Sequence, residues 1–343
     1  MNISDQKLVF IVGNSRSGTT MMMRIIGKHP EMHSVNEIHF FEKLWSVNDK
    51  DRVIDEGEAI YIASRLIFVK KEGYLATFNP EKYKEEATAL VRSIETDKLY
   101  SHDVFLAFLV SETHANGKTI PSEKTPQNVF YIQDILDLFP NARVINMIRD
   151  PRGVLLSQKK KWMRKDNADA YLSKHKKEVV RLRVNYHPIT ISRLWNSSIQ
   201  ASKKFDGDPR VLNVRFEDIT GSPTEELKKI CAFIGVDYSE KMQQVEYIGS
   251  SNEKDAPGQV GIKSNRTKTW MQGGLNRAEI WFCQNITADF FRQFGYEPMQ
   301  TKANPLIVFG YYISFPVKLG LALVMNLHRM KNVKDSIRRR LFA

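Results

Sequence analysis

The chain has 343 residues, 42% hydrophobic and 26% charged, which excludes a disordered chain and is long enough for a substantial core. Its 51 Lys and Arg against 39 Asp and Glu leave a formal charge of +12, favouring polyanions (phosphorylated nucleotides, sulfated substrates, nucleic acid, an anionic membrane face) without choosing among them. Two cysteines, Cys231 and Cys283, exclude a disulfide framework or cysteine-rich zinc site and fit a reducing, cytoplasmic compartment. The polar start Met1–Gln6, followed by the short apolar run Leu8–Val12, is not the pattern of a secretory signal or a leading membrane anchor.

In chain order, Lys7–Val12 reads as a buried strand, Gly13–Gly18 as a loop and Thr19–Lys28 as a helix. His33–Asn36 is a second short strand. Residues 50–115 are mainly helical, with amphipathic stretches at Ala59–Lys70 and Glu81–Ile94. Lys118–Pro121 is a further strand, followed by a helix over Val129–Leu138. Arg143–Ile148 is β-branched and of strand length, and Asp150-Pro151 supplies a helix N-cap and first-turn proline. Val211–Phe216 and Pro223–Phe233 read as strand and helix. Strands alternating with helices predict an α/β fold, a three-layer domain with a mostly parallel central sheet. It spans residues 1–300, with a helical insertion at about 38–115.

Two segments fall outside this pattern. Gln158–Arg193 carries 11 Lys and Arg against 3 acidic residues, a solvated helical face or a guide for an anionic substrate. Residues 301–343 form an extension, apolar over Pro305–Leu327 and basic from His328 onwards. Lys318 within the apolar stretch opposes a membrane span, so a hairpin or amphipathic segment resting on an anionic membrane face is expected, with packing on the domain itself as the alternative.

The sharpest local signal is Gly13-Asn14-Ser15-Arg16-Ser17-Gly18-Thr19-Thr20, set between strand and helix. There backbone N–H groups converge on an anion at a helix start, and glycine permits the turn and close approach. A nucleotide-hydrolase loop of this spacing carries Lys before its final hydroxyl residue; here Thr19 takes that place and the cation has moved to Arg16. The loss weakens a P-loop kinase or NTPase reading, since that Lys helps neutralise the transferred phosphoryl group.

Arg16-Ser17-Gly18-Thr19-Thr20 after an apolar strand resembles the 5′-phosphosulfate loop of sulfotransferases that use 3′-phosphoadenosine 5′-phosphosulfate (PAPS). The run from Val144 through Arg149-Asp150-Pro151-Arg152-Gly153 to Ser157 resembles that family's 3′-phosphate motif. The likeness covers residues 7 to about 297. It implies PAPS as co-substrate, no metal, and an in-line transfer of the sulfuryl group to an acceptor hydroxyl. It also implies that the helical insertion at about 38–115 lines the acceptor pocket. Ser15, Arg16, Ser17, Gly18, Thr19 and Thr20 would hold the 5′ end, and Arg149 and Ser157 the 3′-phosphate. Phe216 matches an aromatic near adenine. Arg266 or Lys268, in Ser264-Asn265-Arg266-Thr267-Lys268-Thr269-Trp270, matches a loop that closes over the nucleotide.

In the branch resembling tyrosylprotein sulfotransferases, the loop is followed by helix, His-Pro, a short strand and a catalytic Glu. Glu37, after His29-Pro30, takes that place as general base, with His39 and His33 as substitutes. Lys124, ahead of Pro126, matches a Lys that steadies the leaving-group oxygen together with Arg16. A non-enzymatic polyanion-binding role rests on net charge alone, and no nucleic-acid partner is expected. The acceptor stays open among lipid, carbohydrate, small metabolite and peptide tyrosine.

Overall fold

In the computed structural model, residues 6–74, 76–163, 176–246, 260–262, 267–327 and 337–340 are described. Arg266, Tyr171 and the tail cations His328, Arg329, Lys331 and Lys334 lie outside them. The chain divides into two compact units: residues 1–147, 204–214 and 222–245, and residues 148–203, 215–221 and 246–343.

The first unit is built on a five-stranded sheet in the order β2-β3-β1-β4-β5: β1 Leu8–Gly13, β2 Met32–Asn36, β3 Ile120–Lys124, β4 Ala142–Ile148 and β5 Val211–Arg215. The pairings of β1 with β3 and β4, and of β2 with β3, are parallel. β1 is buried on both faces along its whole length, so it reads as an uninterrupted apolar run. Phe10 anchors the core, its ring within 6.3 Å of the Phe41, Phe105 and Phe139 rings. Each such side chain contributes about 1.5–3 kcal/mol by leaving water. The helical stretch forms as expected: Glu56–Glu72 is capped by Asp55 accepting from the Glu58 N–H, and Lys84–Arg92 and Ser101–Ala115 follow.

Three boundaries differ from the sequence pattern. The strand placed at Lys118–Pro121 begins instead at Ile120 and runs to Lys124, carrying Ser122, Glu123 and Lys124 into the buried sheet. Pairing with β1 and β2 on both sides overrides their polar character. Phe216 does not end β5; it opens the helix Phe216–Gly221, whose start continues directly from the strand. The tail is no hairpin: Pro305–Asn326 is one helix with Pro316 inside it. A proline there costs about 3 kcal/mol, which packing against the helices Lys176–Asn185 and Pro188–Lys203 offsets.

The second unit centres on the helix Pro151–Lys159. Asp150 caps it by accepting from the Arg152 N–H at 2.9 Å, with Pro151 at the first position. Trp195, Ile199, Cys283 and Phe291 close a core around Val154 and Leu155.

Candidate active site

Strand register assembles the first half of the site. Ile11, Lys124 and Asn36 lie side by side on β1, β3 and β2. The loop that leaves β1 at Gly13, the Lys124 side chain and the residue after Asn36, Glu37, therefore meet at the carboxyl ends of three adjacent parallel strands, where ligands of such sheets sit. Gly13 has φ of 137°, and a Cβ there would stand 2.4 Å from the Met147 carbonyl oxygen, so only glycine fits. Arg16 (φ 75°) and Gly18 (φ 98°) are also left-handed, and Gly18 heads the helix Thr19–Gly27. Ser17 is fully buried, and among the described residues its Oγ has no hydrogen-bond partner. A buried donor left unmatched costs about 1–3 kcal/mol, a deficit an anionic oxygen in the loop would remove.

Lys124 is 1% exposed, and its Nζ meets Glu37 Oε1 at 2.5 Å. His39 lies on the other carboxylate oxygen, Nε2 to Oε2 at 3.7 Å, while its Nδ1 meets Glu42 Oε2 at 2.9 Å. Burial works to raise the Glu37 carboxyl, but the hydrogen bond with His39 and the charge of Lys124 outweigh it and hold the group at about 2. His39 moves oppositely: burial would lower it, yet its bonds to Glu37 and Glu42 carry it to about 9. The cluster is thus an ionised carboxylate between two cations at neutral pH. Glu37 (φ 20°) and His39 (φ 56°) both have positive φ, backbone strain of the kind that clusters at functional sites.

The second unit supplies a different arrangement. The Arg149 guanidinium lies 4.2 Å over the Phe216 ring, and Trp195 Nε1 donates to the Arg149 carbonyl at 3.0 Å. A Cβ at Gly153 would approach Arg149 Nε to 3.2 Å, so this glycine leaves room for the guanidinium. Ser157, two turns into the helix, is buried. Arg152 engages both Asp150 oxygens, Nε to Oδ1 at 3.0 Å and a terminal nitrogen to Oδ2 at 2.7 Å, and stacks at 3.9 Å on the Trp270 ring. Trp270 in turn fixes the end of the segment whose Lys268 is exposed.

A profile of the sulfotransferase family matches residues 9–240. The chain belongs to that family. It is an enzyme of sulfuryl transfer. It is 21% identical to protein-tyrosine sulfotransferase A of Caenorhabditis elegans, over 87% of this chain and 68% of that one. Among solved structures it is similar to the sulfotransferase domain of the Synechococcus PCC 7002 olefin synthase: 20% identity, TM-score 0.49, covering 87% of this chain and 98% of that domain. A second such domain, from the curacin biosynthetic pathway, is 19% identical with TM-score 0.48, covering 86% and 99%.

The sulfotransferase places Glu37, Lys124 and the Ser15–Thr20 loop in its first unit, and Arg149, Ser157, Phe216 and Lys268 in its second. Among the described residues no cluster of three metal-ligating side chains occurs, and His29 instead contacts the Asp237 carbonyl at 2.9 Å. Sequence reasoning named His39 as a substitute base and overlooked its partnership with Glu42. It also passed over Gly153 and Glu123, whose signals, a glycine on the Arg149 face of a helix and a carboxyl inside a strand, were visible in the motifs.

Proposed function

We propose that this sulfotransferase moves the sulfuryl group of PAPS in line to an acceptor hydroxyl, with Glu37 as general base. The observation that supports this best is the Lys124–Glu37 contact beside the β1 loop. The acceptor oxygen forms a bond to sulfur as the bond from sulfur to the bridging 5′-phosphate oxygen breaks. The acceptor proton passes to Glu37, and the electron pair stays on the departing phosphate, where Arg16 and Lys124 offset the new charge. In the resting site His39 and Lys124 together keep Glu37 a weak base. A donor oxygen that draws the ammonium away removes the Lys124 share and raises the carboxyl, so base strength increases with donor binding.

Ser15, Arg16, Ser17, Gly18, Thr19 and Thr20 would take the 5′-phosphosulfate. Arg149 and Ser157 would take the 3′-phosphate, with Phe216 supporting the guanidinium from below as well as serving as the aromatic expected near adenine. Either Lys268 or Arg266 would add a cation to the nucleotide from the closing loop; Arg266 lies outside the described residues. Thermal shifts test the donor assignment: adenosine 3′,5′-bisphosphate should stabilise the chain and Mg·ATP should not. The reverse result returns the chain to the nucleotide-kinase reading.

The acceptor we propose is a hydroxyl carried on a lipid or glycolipid. The helix Pro305–Asn326 supports it, being apolar enough by composition to cross a membrane, with mean hydropathy 1.7 over its best window. Yet its polar side chains are committed to the second unit: Lys318 Nζ donates to the Tyr186 carbonyl at 3.2 Å, Arg181 to Asn326 Oδ1 at 2.8 Å and Asn326 Nδ2 to Asn185 Oδ1 at 2.8 Å. The opposite ridge, Phe309, Ile313, Val317, Leu321 and Val324, is exposed. A face anchored on protein with an apolar ridge outward suits lying in a bilayer interface, with Lys302 and Arg338 near anionic headgroups. A peptide tyrosine is the second reading, favoured by the named activity of the relative in C. elegans. Labelled PAPS offered with lipid, glycan and tyrosyl-peptide acceptors decides between them. Label in the peptide alone overturns the lipid assignment.

A further inference from the structure

Glu123 takes no part in the chemistry above, yet it is a carboxyl 1% exposed at the inner end of β3. Alternation along the strand sends its side chain to the face opposite Lys124. Its oxygens are spent on the neighbours of the catalytic turn. Oε1 accepts from the Thr125 hydroxyl and, at 3.5 Å, from the Ile38 N–H; Oε2 accepts from Asn128 Nδ2 at 2.9 Å. The Thr125 hydroxyl receives the His39 N–H at 3.4 Å, and the Glu37 N–H donates to the Lys124 carbonyl at 2.8 Å. These bonds bracket Glu37-Ile38-His39, whose first and last residues hold positive φ. Non-glycine residues keep such a backbone only where their surroundings fix it.

We infer that Glu123 is a positioning residue: its buried carboxyl clamps the Glu37-Ile38-His39 turn from behind and sets where the Glu37 carboxylate stands between Lys124 and His39. The inference rests on the reading of Glu37 as base. Burial pushes the Glu123 carboxyl up to about 7, against the hydrogen bond from Thr125 and the charge of His39. A carboxyl kept at that cost is not explained by filling space, since an apolar side chain of similar volume would pack there without the desolvation.

His39 reports the turn directly, because Glu37 and Glu42 lie on its two nitrogens and the Tyr74 ring stands 4.4 Å from it. The full chain, its imidazoles isotope-labelled and His39 assigned by an H39N variant, is titrated by NMR as wild type, E123Q, E123A and T125V. Unfolding midpoints and affinity for adenosine 3′,5′-bisphosphate are measured alongside. E123Q keeps an acceptor oxygen for Ile38 and Thr125, so His39 should still titrate near 9. E123A and T125V should bind the nucleotide within about twofold of wild type while His39 drops toward 6.5. Their release of labelled sulfate from PAPS into water should slow by about tenfold or more, as expected for a misplaced reacting group. An unchanged His39 titration in folded E123A overturns the clamp; should E123A not fold, T125V carries the same test. An E37Q variant with full turnover removes the base assignment and leaves the clamp standing, so the two failures are told apart.

Discussion

The two anion sites we propose are built by opposite means. In the Gly13–Thr20 loop the donors belong largely to the backbone, held in left-handed turns at Gly13, Arg16 and Gly18. Around Arg149 they belong to side chains, the guanidinium seated on the Phe216 ring beside Gly153. A backbone site is vulnerable to any added atom and indifferent to much side-chain change. A side-chain site tolerates nearby substitutions and fails when its own cation loses its shape. The contrast fits the chemistry each would serve: close, many-sided contact with a group in transit at one end, a single bidentate grip on a stationary phosphate at the other.

The largest expected effect tests the backbone side. Gly13→Ala drives a Cβ to 2.4 Å from the Met147 oxygen, so β1 and β4 must separate. A loss of about 1–3 kcal/mol in denaturant unfolding is expected, with no measurable nucleotide binding. A variant with wild-type unfolding would show that the loop can re-form without glycine. Next, Glu37→Gln should slow sulfuryl transfer by about 100- to 10,000-fold. It should also lower the melting temperature, because it leaves Lys124 buried beside a neutral amide. Arg16→Ala should cost about 100-fold or more in turnover with a much smaller change in affinity for adenosine 3′,5′-bisphosphate, and equal losses in both would make Arg16 a binding residue only.

On the side-chain site, Arg149→Lys keeps the charge and loses the planar fork that stacks on Phe216. It should weaken adenosine 3′,5′-bisphosphate binding by about tenfold, from the loss of one charge-assisted hydrogen bond, while leaving adenosine 5′-phosphate binding unchanged. Equal loss for both ligands would remove Arg149 from the 3′-phosphate.

The smallest effect is a pH dependence of stability from the Glu37–His39 pair. His39, raised to about 9 from 6.5, contributes stability that is whole below 6.5 and is lost as pH climbs through 9. Glu37, depressed to about 2 from 4.5, contributes stability present above 4.5 and lost as pH falls through 2. Urea unfolding of wild type against the H39N variant should therefore show a gap that is wide at pH 6.5 and narrows by pH 9. A constant gap would mean His39 is not cationic in the fold.

Much of this molecule was legible in the order of its residues. Continuous burial made β1 readable as an apolar run, and the Asp150-Pro151 cap fixed the start of a helix from local chemistry alone. The glycine spacing of the loop, the Arg-Asp-Pro turn and the matching place of Glu37 also depend only on neighbours in sequence, which is why both motifs and the family could be read without coordinates. Tertiary structure decided what depends on residues far apart. Pairing of β3 with β1 and β2 drew Ser122, Glu123 and Lys124 into the sheet, although their polarity marked them as loop. It set Lys124 against Glu37 and, through His39, turned a lone glutamate into a carboxylate held between two cations. Packing on helices more than a hundred residues away likewise kept Pro305–Asn326 a single helix across Pro316, where the sequence left a hairpin, an amphipathic segment and packing on the domain open. Hydrogen bonds and charges of this kind act through space, over separations that composition and spacing do not encode.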